Sequence, residues 1–199
     1  SQMYGDGSVN SSRIQGGSLG GYLTARDSFV GEYRERLNSL SKSIPWEVNR
    51  IHSQGIGLKP LTSSLGTYSV GNTSVPLGSS ESRFTWSDRL EAGNISFSII
   101  DPATNKAIIP YPGLNVLSNL PGGNFDPSRH SLEDVRNAIN SATFTDTDGV
   151  TRSPFNATIV DGKLQITTPD PNYAFSVTSD TPGLAAALGI NTFFTGDSP

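Results

Sequence analysis

Apolar residues near the start of the chain recur mostly at alternating steps of three and four positions. From Leu19 to Ile51 they fall on one stripe, while charged residues such as Glu32 and Arg36 mostly fall off it. This spacing is typical of an α-helix with one buried face. The pattern predicts an amphipathic helix over about residues 19–53, and at ~1.5 Å per residue such a helix is a rod of roughly 50 Å.

Two residues weaken this predicted rod. Pro45 cannot donate a hydrogen bond to the carbonyl of Ser41, so a kink or a break is expected there. Gly31 is a milder weak point, because glycine is a poor helix former. The rod is therefore expected to be interrupted or bent rather than straight.

A different pattern follows the rod. Residues 59–82 are rich in Gly, Ser and Pro and nearly uncharged, which predicts an extended connector with one or two short strands. From Arg83 onward, short alternating runs separated by turn residues predict a β-rich unit over residues 83–190.

Strands and turns can be placed within this β-rich unit. Asn94–Ile100 alternates and predicts a strand, and the turn "DPATNK" leads to a returning strand at "AIIPY". Asp161-Gly162, between "FNATIV" and "KLQITT", predicts a tight two-residue hairpin turn. A further strand is expected at "YAFSVTS".

Helical signals are shorter in this part of the chain. Ser131 is a predicted N-cap for "LEDVRNAINSA", with Asp134 three residues further on in place of the Glu or Gln of an ideal capping box. "GLAAALGI" predicts a short helical turn near the end. The expected fold class is therefore α+β, in which a long helical rod segment precedes a β-rich domain with a short helix and a hairpin.

Composition and charge exclude several classes of partner. The net charge is −4, so the chain has no basic field that would attract nucleic acid or an anionic membrane surface. No run of about 18 apolar residues predicts a membrane-spanning helix. Cysteine is absent, which rules out disulfides, thiolate metal sites and a cysteine nucleophile.

Motifs that would indicate catalysis or ligand binding are weak. The glycines of "GGSLGG", residues 16–21, lack the flanking residues of a phosphate loop and favour a tight turn or close backbone packing. His52 and His130 have no neighbouring ligands at metal spacing. Asp146 and Asp148 resemble the opening of a calcium loop, but a surface turn is favoured because the distal ligands are missing. We therefore predict no catalytic residue, no cofactor and no metal site.

Two stretches resemble a known family. "GGSLGGYLTARD" followed by "EYRERLNSLSKSIPWEVNRIHSQGIGL", together with "LAAALGINTFFTG" near the end, is similar to the family of bacterial flagellar hook-associated protein 1, the first hook-filament junction protein. The part between them resembles the strand-helix-hairpin insert of flagellins and hook-associated proteins. That insert is recognised by Ile139-Asn140 and by Gly162, Leu164 and Ile166. The resemblance runs from about residue 14 to residue 196.

The resemblance implies a domain organisation and a structural role without catalysis. Residues 1–58 would form a helical rod segment of an inner domain, residues 59–82 a connector, residues 83–190 an outer domain and residues 191–199 a return toward the inner domain. The chain would be a central fragment that lacks the terminal polymerisation segments. The whole protein would join hook to filament by polymerising as an axial ring.

The resemblance also implies partners and a location. Other copies of the chain, the hook protein and the second junction protein would be its neighbours, and an export chaperone would bind the missing C-terminus. The location would be the extracellular bacterial flagellum, reached through the flagellar secretion apparatus, and the process served would be motility. The absence of cysteine suits export of an unfolded chain.

On this interpretation the apolar stripe is the expected interaction surface. Its candidate contact residues are Tyr33, Leu37, Leu40, Ile44, Val48 and Ile51. The alternative function is that of a surface adhesin or a glycan-binding β-domain. That alternative predicts aromatic residues clustered on an exposed face, and the candidates are Tyr68, Trp86, Tyr111 and Tyr173.

Overall fold

The computed structural model describes residues 60–190 together with residues 29, 30, 32, 33 and 36. Contacts divide the chain into two units, Ser1–Pro45 and Trp46–Pro199, and each is described by itself. In the first unit the five described residues are helical, as the apolar stripe predicts at these positions. The remainder of the predicted rod, the glycines at 16–21 and Pro45 lie outside the described residues.

The described part of the second unit is rich in β-strands and contains few helices. Its strands are β1 Ser63–Leu65, β2 Ile95–Asp101, β3 Lys106–Asn115, β4 Phe144–Thr145, β5 Thr151–Arg152, β6 Asn156–Val160, β7 Lys163–Thr167 and β8 Ala174–Asp180. Its α-helices are α1 Leu132–Ser141 and α2 Leu184–Leu188, and two short 3-10 helices lie at Ser80–Ser82 and Ser87–Arg89.

The strands of residues 60–190 form antiparallel sheets. One has the order β1-β7-β6, a second the order β3-β2-β8, and a two-stranded ribbon pairs β4 with β5. In the first sheet, β7 lies between its hairpin partner β6 and the distant strand β1. In the second sheet, β2 lies between its hairpin partner β3 and the distant strand β8.

Residues 61–70, which we call the seam, join the two larger sheets. Leu61 exchanges both backbone hydrogen bonds with Phe175 of β8, at 2.9 and 2.8 Å. Thr168 then donates its backbone N–H to Thr62 at 2.9 Å, and the chain continues as β1 along β7. A single extended segment therefore pairs first with one sheet and then with the other.

The second half of the seam binds the end of the unit and the hairpin turn. Gly66 donates to the carbonyl of Leu164 at 2.8 Å, and Tyr68 donates to the carbonyl of Leu188 at 3.2 Å. Val70 donates to the carbonyl of Gly162 at 2.8 Å. These backbone bonds tie β7, the end of α2 and the β6-β7 turn to one segment.

The described part of the predicted connector 59–82, residues 60–82, contains the predicted short strand as β1. Val70 and Leu77 of the same segment are buried in the core. Leu77 also donates its backbone N–H to the carbonyl of His130 at 2.9 Å, next to the start of α1. A sparse set of apolar residues and backbone bonds fixes this segment, and neither feature is visible in a Gly- and Ser-rich composition.

The hydrophobic core of residues 60–190 contains a cluster of three phenylalanines. Phe97, Phe155 and Phe175 have ring centroids 5.2–5.7 Å apart, and two of the three ring pairs are edge-to-face. Buried aliphatic residues from both sheets and both helices complete the core, and they include Ile99, Leu132, Ile139, Leu164, Ile166, Leu184 and Leu188. Each such side chain contributes about 1.5–3 kcal/mol by leaving water.

Local signals in the sequence correctly predict α1 and the β6-β7 hairpin. Ser131 Oγ accepts from the Asp134 backbone N–H at 3.1 Å, and Asp134 Oδ2 accepts from the Ser131 backbone N–H at 2.9 Å. The capping box therefore closes with aspartate in place of glutamate. Asp161 and Gly162 have φ angles of 50° and 74°, which is the left-handed pair that a type I′ turn requires.

A buried carboxylate anchors α2 at the end of β8. Asp180 is 2% exposed, and its two carboxylate oxygens accept the backbone N–H groups of Leu184 at 2.9 Å and Ala186 at 3.0 Å. Burial raises the pKa of Asp180, while the backbone hydrogen bonds act in the opposite direction. The residues of α2 are all buried, so this capping interaction holds a helix that is packed on every side.

We predict that Gly66→Ala destabilises the fold. A Cβ at this position would lie 2.7 Å from the carbonyl oxygen of Leu188 and 3.2 Å from that of Leu164. Both are backbone atoms that are held by the seam, so the free energy of unfolding should fall by about 1–3 kcal/mol, measured by urea denaturation. Ser63→Ala, at an exposed position of β1, is the control and should change it by less than about 0.5 kcal/mol. Equal midpoints for the two variants would contradict the assigned role of the seam.

Candidate interaction surfaces

Apolar side chains on the described helical residues are exposed. The exposed fractions are 72% for Phe29, 50% for Val30 and 61% for Tyr33. Residues three and four positions apart lie on the same side of a helix, so Tyr33 neighbours both of the others. We call these three residues the helical apolar patch.

A charged pair flanks the helical apolar patch. Arg36 donates to Glu32 Oε1 at 3.0 Å, and both side chains are mostly exposed. An exposed pair of this kind at i,i+4 contributes only a few tenths of a kcal/mol to the helix. Phe29, Glu32, Tyr33 and Arg36 line one shallow depression, so the charged pair lies directly beside the two aromatic side chains.

The structure describes Tyr33 alone of the predicted contact residues. It is helical and exposed, and its role as a contact stays a prediction. The other predicted contacts also stay predictions, and they lie outside the described residues: Leu37, Leu40, Ile44, Val48 and Ile51. Phe29 was missed by the stripe analysis, although its position four residues before Tyr33 would have indicated it.

The aromatic residues proposed for glycan binding do not share an exposed face. Trp86 and Tyr173 are buried, at 6% and 5% exposure. Tyr68 is half-buried and packs against Trp86, with ring centroids 5.7 Å apart and an interplanar angle of 78°. Only Tyr111 of the four is largely exposed, at 68%. The predicted aromatic platform is therefore absent from these four residues.

Tyr111 lies on a bulge that is fixed to the sheet. The register of β3 against β2 shifts there, since Ile99 faces Ile109 while Phe97 faces Leu114. Thr178 Oγ1 on β8 donates to the carbonyl of Pro112 at 2.7 Å. The tyrosine is thus presented at the surface by a bulge whose backbone is hydrogen-bonded to another strand.

The two aspartates of "TDTDGV" lie at the turn between β4 and β5, as predicted. Asp148 forms an ion pair with Arg152 at 2.6 Å, and this interaction lowers the pKa of Asp148 to about 2. Asp146 accepts a 2.5 Å hydrogen bond from the hydroxyl of Tyr173. That bond lowers the pKa of Asp146 and, together with burial, raises the pKa of Tyr173 to about 12.

The remaining sequence candidates have structural partners or lie outside the described part. The backbone N–H of Asp126 donates to Nδ1 of His130 at 2.9 Å, and the imidazole is buried. His52 lies outside the described residues. Within residues 60–190 and the described helical positions, no three acidic, histidine or cysteine side chains converge on a point where a metal ion would bind. The helices in the same part of the chain are too short or too polar to cross a bilayer.

A family comparison finds a match in the first third of the chain. Residues 2–66 match the family model for the helical domain of the flagellar hook-associated protein FlgK. The matched segment contains the helical apolar patch and extends through β1 to Gly66 in the seam. No curated protein matches the chain. The match covers about a third of the chain, and it supports a likeness of this segment to a FlgK-like flagellar hook-associated protein.

We predict that Tyr173→Phe raises the pKa of Asp146 toward the ordinary value of about 3.9, because the hydroxyl donor is removed. A lowered carboxyl pKa stabilises the fold above the unfolded pKa, and this stability is lost as pH falls through the folded pKa. The variant should therefore lose less stability on acidification than the parent. Carboxyl NMR titration measures the pKa, and Tyr111→Phe is the control at an exposed tyrosine. An unchanged pKa of Asp146 would show that the hydroxyl does not set it.

Proposed function

We propose that this chain is part of a protein that joins the hook to the filament of the bacterial flagellum by polymerising as an axial ring. The observation that supports this proposal most directly is the helical apolar patch, which lies within the segment that matches the FlgK helical domain. A structural protein that assembles through its helices needs such a surface. Enzymatic activity forms no part of the proposal.

The energetics of the helical apolar patch favour a covered state. Phe29 and Tyr33 together leave two aromatic side chains mostly in water. Full burial of a large apolar side chain contributes about 1.5–3 kcal/mol, so a partner helix that covers both would gain several kcal/mol before ordering costs. We propose that the covering elements are helical segments of the same protein and of neighbouring copies, along a stripe that continues through Leu37, Leu40, Ile44, Val48 and Ile51.

The β-rich unit is proposed to be an outer domain inserted into the helical part. Its entering segment passes beside its last residues, since Tyr68 donates to the carbonyl of Leu188 at 3.2 Å. A Cβ at Gly189 would lie 2.7 Å from Cβ of Thr67. Domains whose ends lie close together are readily accommodated as insertions. This geometry supports the proposal that residues 191–199 return toward an inner domain.

Partners and location follow from the proposed role. The neighbours would be other copies of the protein, the hook protein and the second junction protein, and an export chaperone would bind the C-terminal segment. The site of action would be the extracellular flagellum, reached through the flagellar secretion apparatus. Export of an unfolded chain without cysteine avoids disulfide cross-links on the way.

A second candidate function is binding of a glycan or a host surface by the β-rich unit. One observation favours it, namely the 68% exposed Tyr111 on a bulge that Thr178 fixes. Aromatic rings with a fixed orientation are common in carbohydrate and protein recognition, because they bury area with little loss of side-chain entropy. A single exposed tyrosine is a smaller platform than the cluster that the sequence predicts, so this function ranks second.

The first test of the junction proposal is self-association through the helical apolar patch. We predict that Tyr33→Lys reduces the average mass of the 199-residue chain in sedimentation velocity, because a charge replaces a side chain that a second helix would cover. Leu37→Lys combined with Leu40→Lys should act in the same direction. Glu32→Gln changes the net charge by the same amount as Tyr33→Lys without removing an apolar side chain, and should behave like the parent. Parent-like sedimentation of both lysine variants would count against the proposal.

The second test separates the two candidate functions. We predict that the chain co-elutes with purified hook protein in size-exclusion chromatography and binds no sugar on a glycan array. Tyr111→Ala should leave the co-elution unchanged, since the junction proposal assigns that residue no contact. Glycan binding that Tyr111→Ala abolishes, in a chain that elutes apart from the hook protein, would favour the second function.

A further inference from the structure

The side chain of Asn140 hydrogen-bonds to strand β6 as a neighbouring strand would. Asn140 Oδ1 accepts the backbone N–H of Ala157 at 2.6 Å, and Asn140 Nδ2 donates to the carbonyl of the same residue at 2.9 Å. In an antiparallel ladder, a hydrogen-bonded residue pair exchanges the same two bonds. The carboxamide near the end of α1 therefore takes the place of a strand residue beside β6.

Strand β6 is an edge strand, so this replacement matters. In the sheet order β1-β7-β6, β6 pairs with β7 on one side. The bonds to Asn140 show that the backbone groups of Ala157 point away from β7. Because backbone groups alternate with period two along a strand, those of Ile159 point to the same side. An edge with outward-pointing groups is a template for another strand.

The pattern of outward groups on β6 is complementary to itself. If two copies of β6 met antiparallel with a twofold axis at Thr158, Ala157 of one copy would face Ile159 of the other. Both of these residues present their backbone N–H and C=O groups to the outer side, so the two copies would form hydrogen-bonded pairs with each other. A twofold contact of this kind is the commonest form of self-association.

We propose that Asn140 closes the β6 edge against strand addition by a second copy of this chain. The carboxamide occupies both outward groups of Ala157 and holds the end of α1 against the strand. Without it, two backbone groups at the middle of the edge become available, and the nearest complementary strand is β6 of another copy. This inference rests on the described β-rich unit and does not depend on the junction proposal.

Asn137 provides a matched control on the same helix. It is exposed, and its Oδ1 accepts from Nε of the adjacent Arg136 at 3.1 Å. Asn137→Ala is the same chemical change as Asn140→Ala, with a similar effect on helix propensity. The difference between the two variants therefore isolates the bonds to Ala157.

The experiment compares the 199-residue parent, Asn140→Ala and Asn137→Ala by sedimentation velocity over a range of concentrations and by amide hydrogen exchange. Asn140→Ala should have a larger average mass than the other two chains. At low concentration its Ala157 amide should exchange about tenfold faster than in the parent, as expected for the loss of one hydrogen bond. Protection at Ala157 and Ile159 should return as concentration rises, because the second copy supplies new partners. The comparison is repeated with Tyr33→Lys in every chain, which separates edge pairing from association through the helical apolar patch.

A parent-like mass for folded Asn140→Ala at all concentrations would overturn the proposal, as would unchanged protection of Ala157. If Asn140→Ala does not fold, Asn140→Leu gives the answer. Leucine has nearly the size of asparagine but offers neither a donor nor an acceptor, so both outward groups of Ala157 lose their partner. Folded Asn140→Leu should have a larger average mass than the parent, and a parent-like mass would equally overturn the proposal.

Discussion

The β-rich unit depends on the backbone hydrogen bonds of the seam, residues 61–70. Leu61 pairs with β8, β1 pairs with β7, and Tyr68 and Val70 then bind the end of α2 and the β6-β7 turn. Two sheets that share a core need a fixed relative position, and here one extended segment belongs to both. These bonds join backbone groups, so they require a particular backbone path and enough space around it, but no particular side chains. Gly66 is a position where this requirement does determine the residue type, because two backbone carbonyl groups lie where a side chain would begin.

The sequence predicts the elements of this unit better than it predicts how they are joined. Helix α1 and the β6-β7 hairpin have local signals, in Ser131 with Asp134 and in Asp161-Gly162, and both form as expected. Long-range backbone pairing leaves no such local signal, so the composition of this segment predicts a connector. Tyr173 is buried because Phe144 and Asp146, both far away in the sequence, supply its ring contact and its hydrogen-bond acceptor. On the candidate surface, periodicity correctly indicates Tyr33 as a helical residue with an apolar face, but it assigns no role to Phe29.

The polar groups of the described unit are used mainly to hold the fold. Asp180 binds the first turn of α2, Asp146 and Asp148 bind Tyr173 and Arg152, and Asn140 binds Ala157. The perturbed pKa values of the three aspartates therefore have structural causes, and the raised pKa of Asp180 comes first from burial. Two described surface features remain available for function. One is the helical apolar patch in the first unit, and the other is the exposed Tyr111 in the second unit.

The closeness of Thr67 to Gly189 has a consequence for how such chains diverge. The part of the chain between these two residues begins and ends at almost the same point. The distance between the flanking segments is therefore fixed by these two ends and does not depend on how long the part between them is. The strands in between can therefore be lengthened, trimmed or replaced while the flanking segments keep their spacing, so this part of the chain can vary without altering the chain on either side of it.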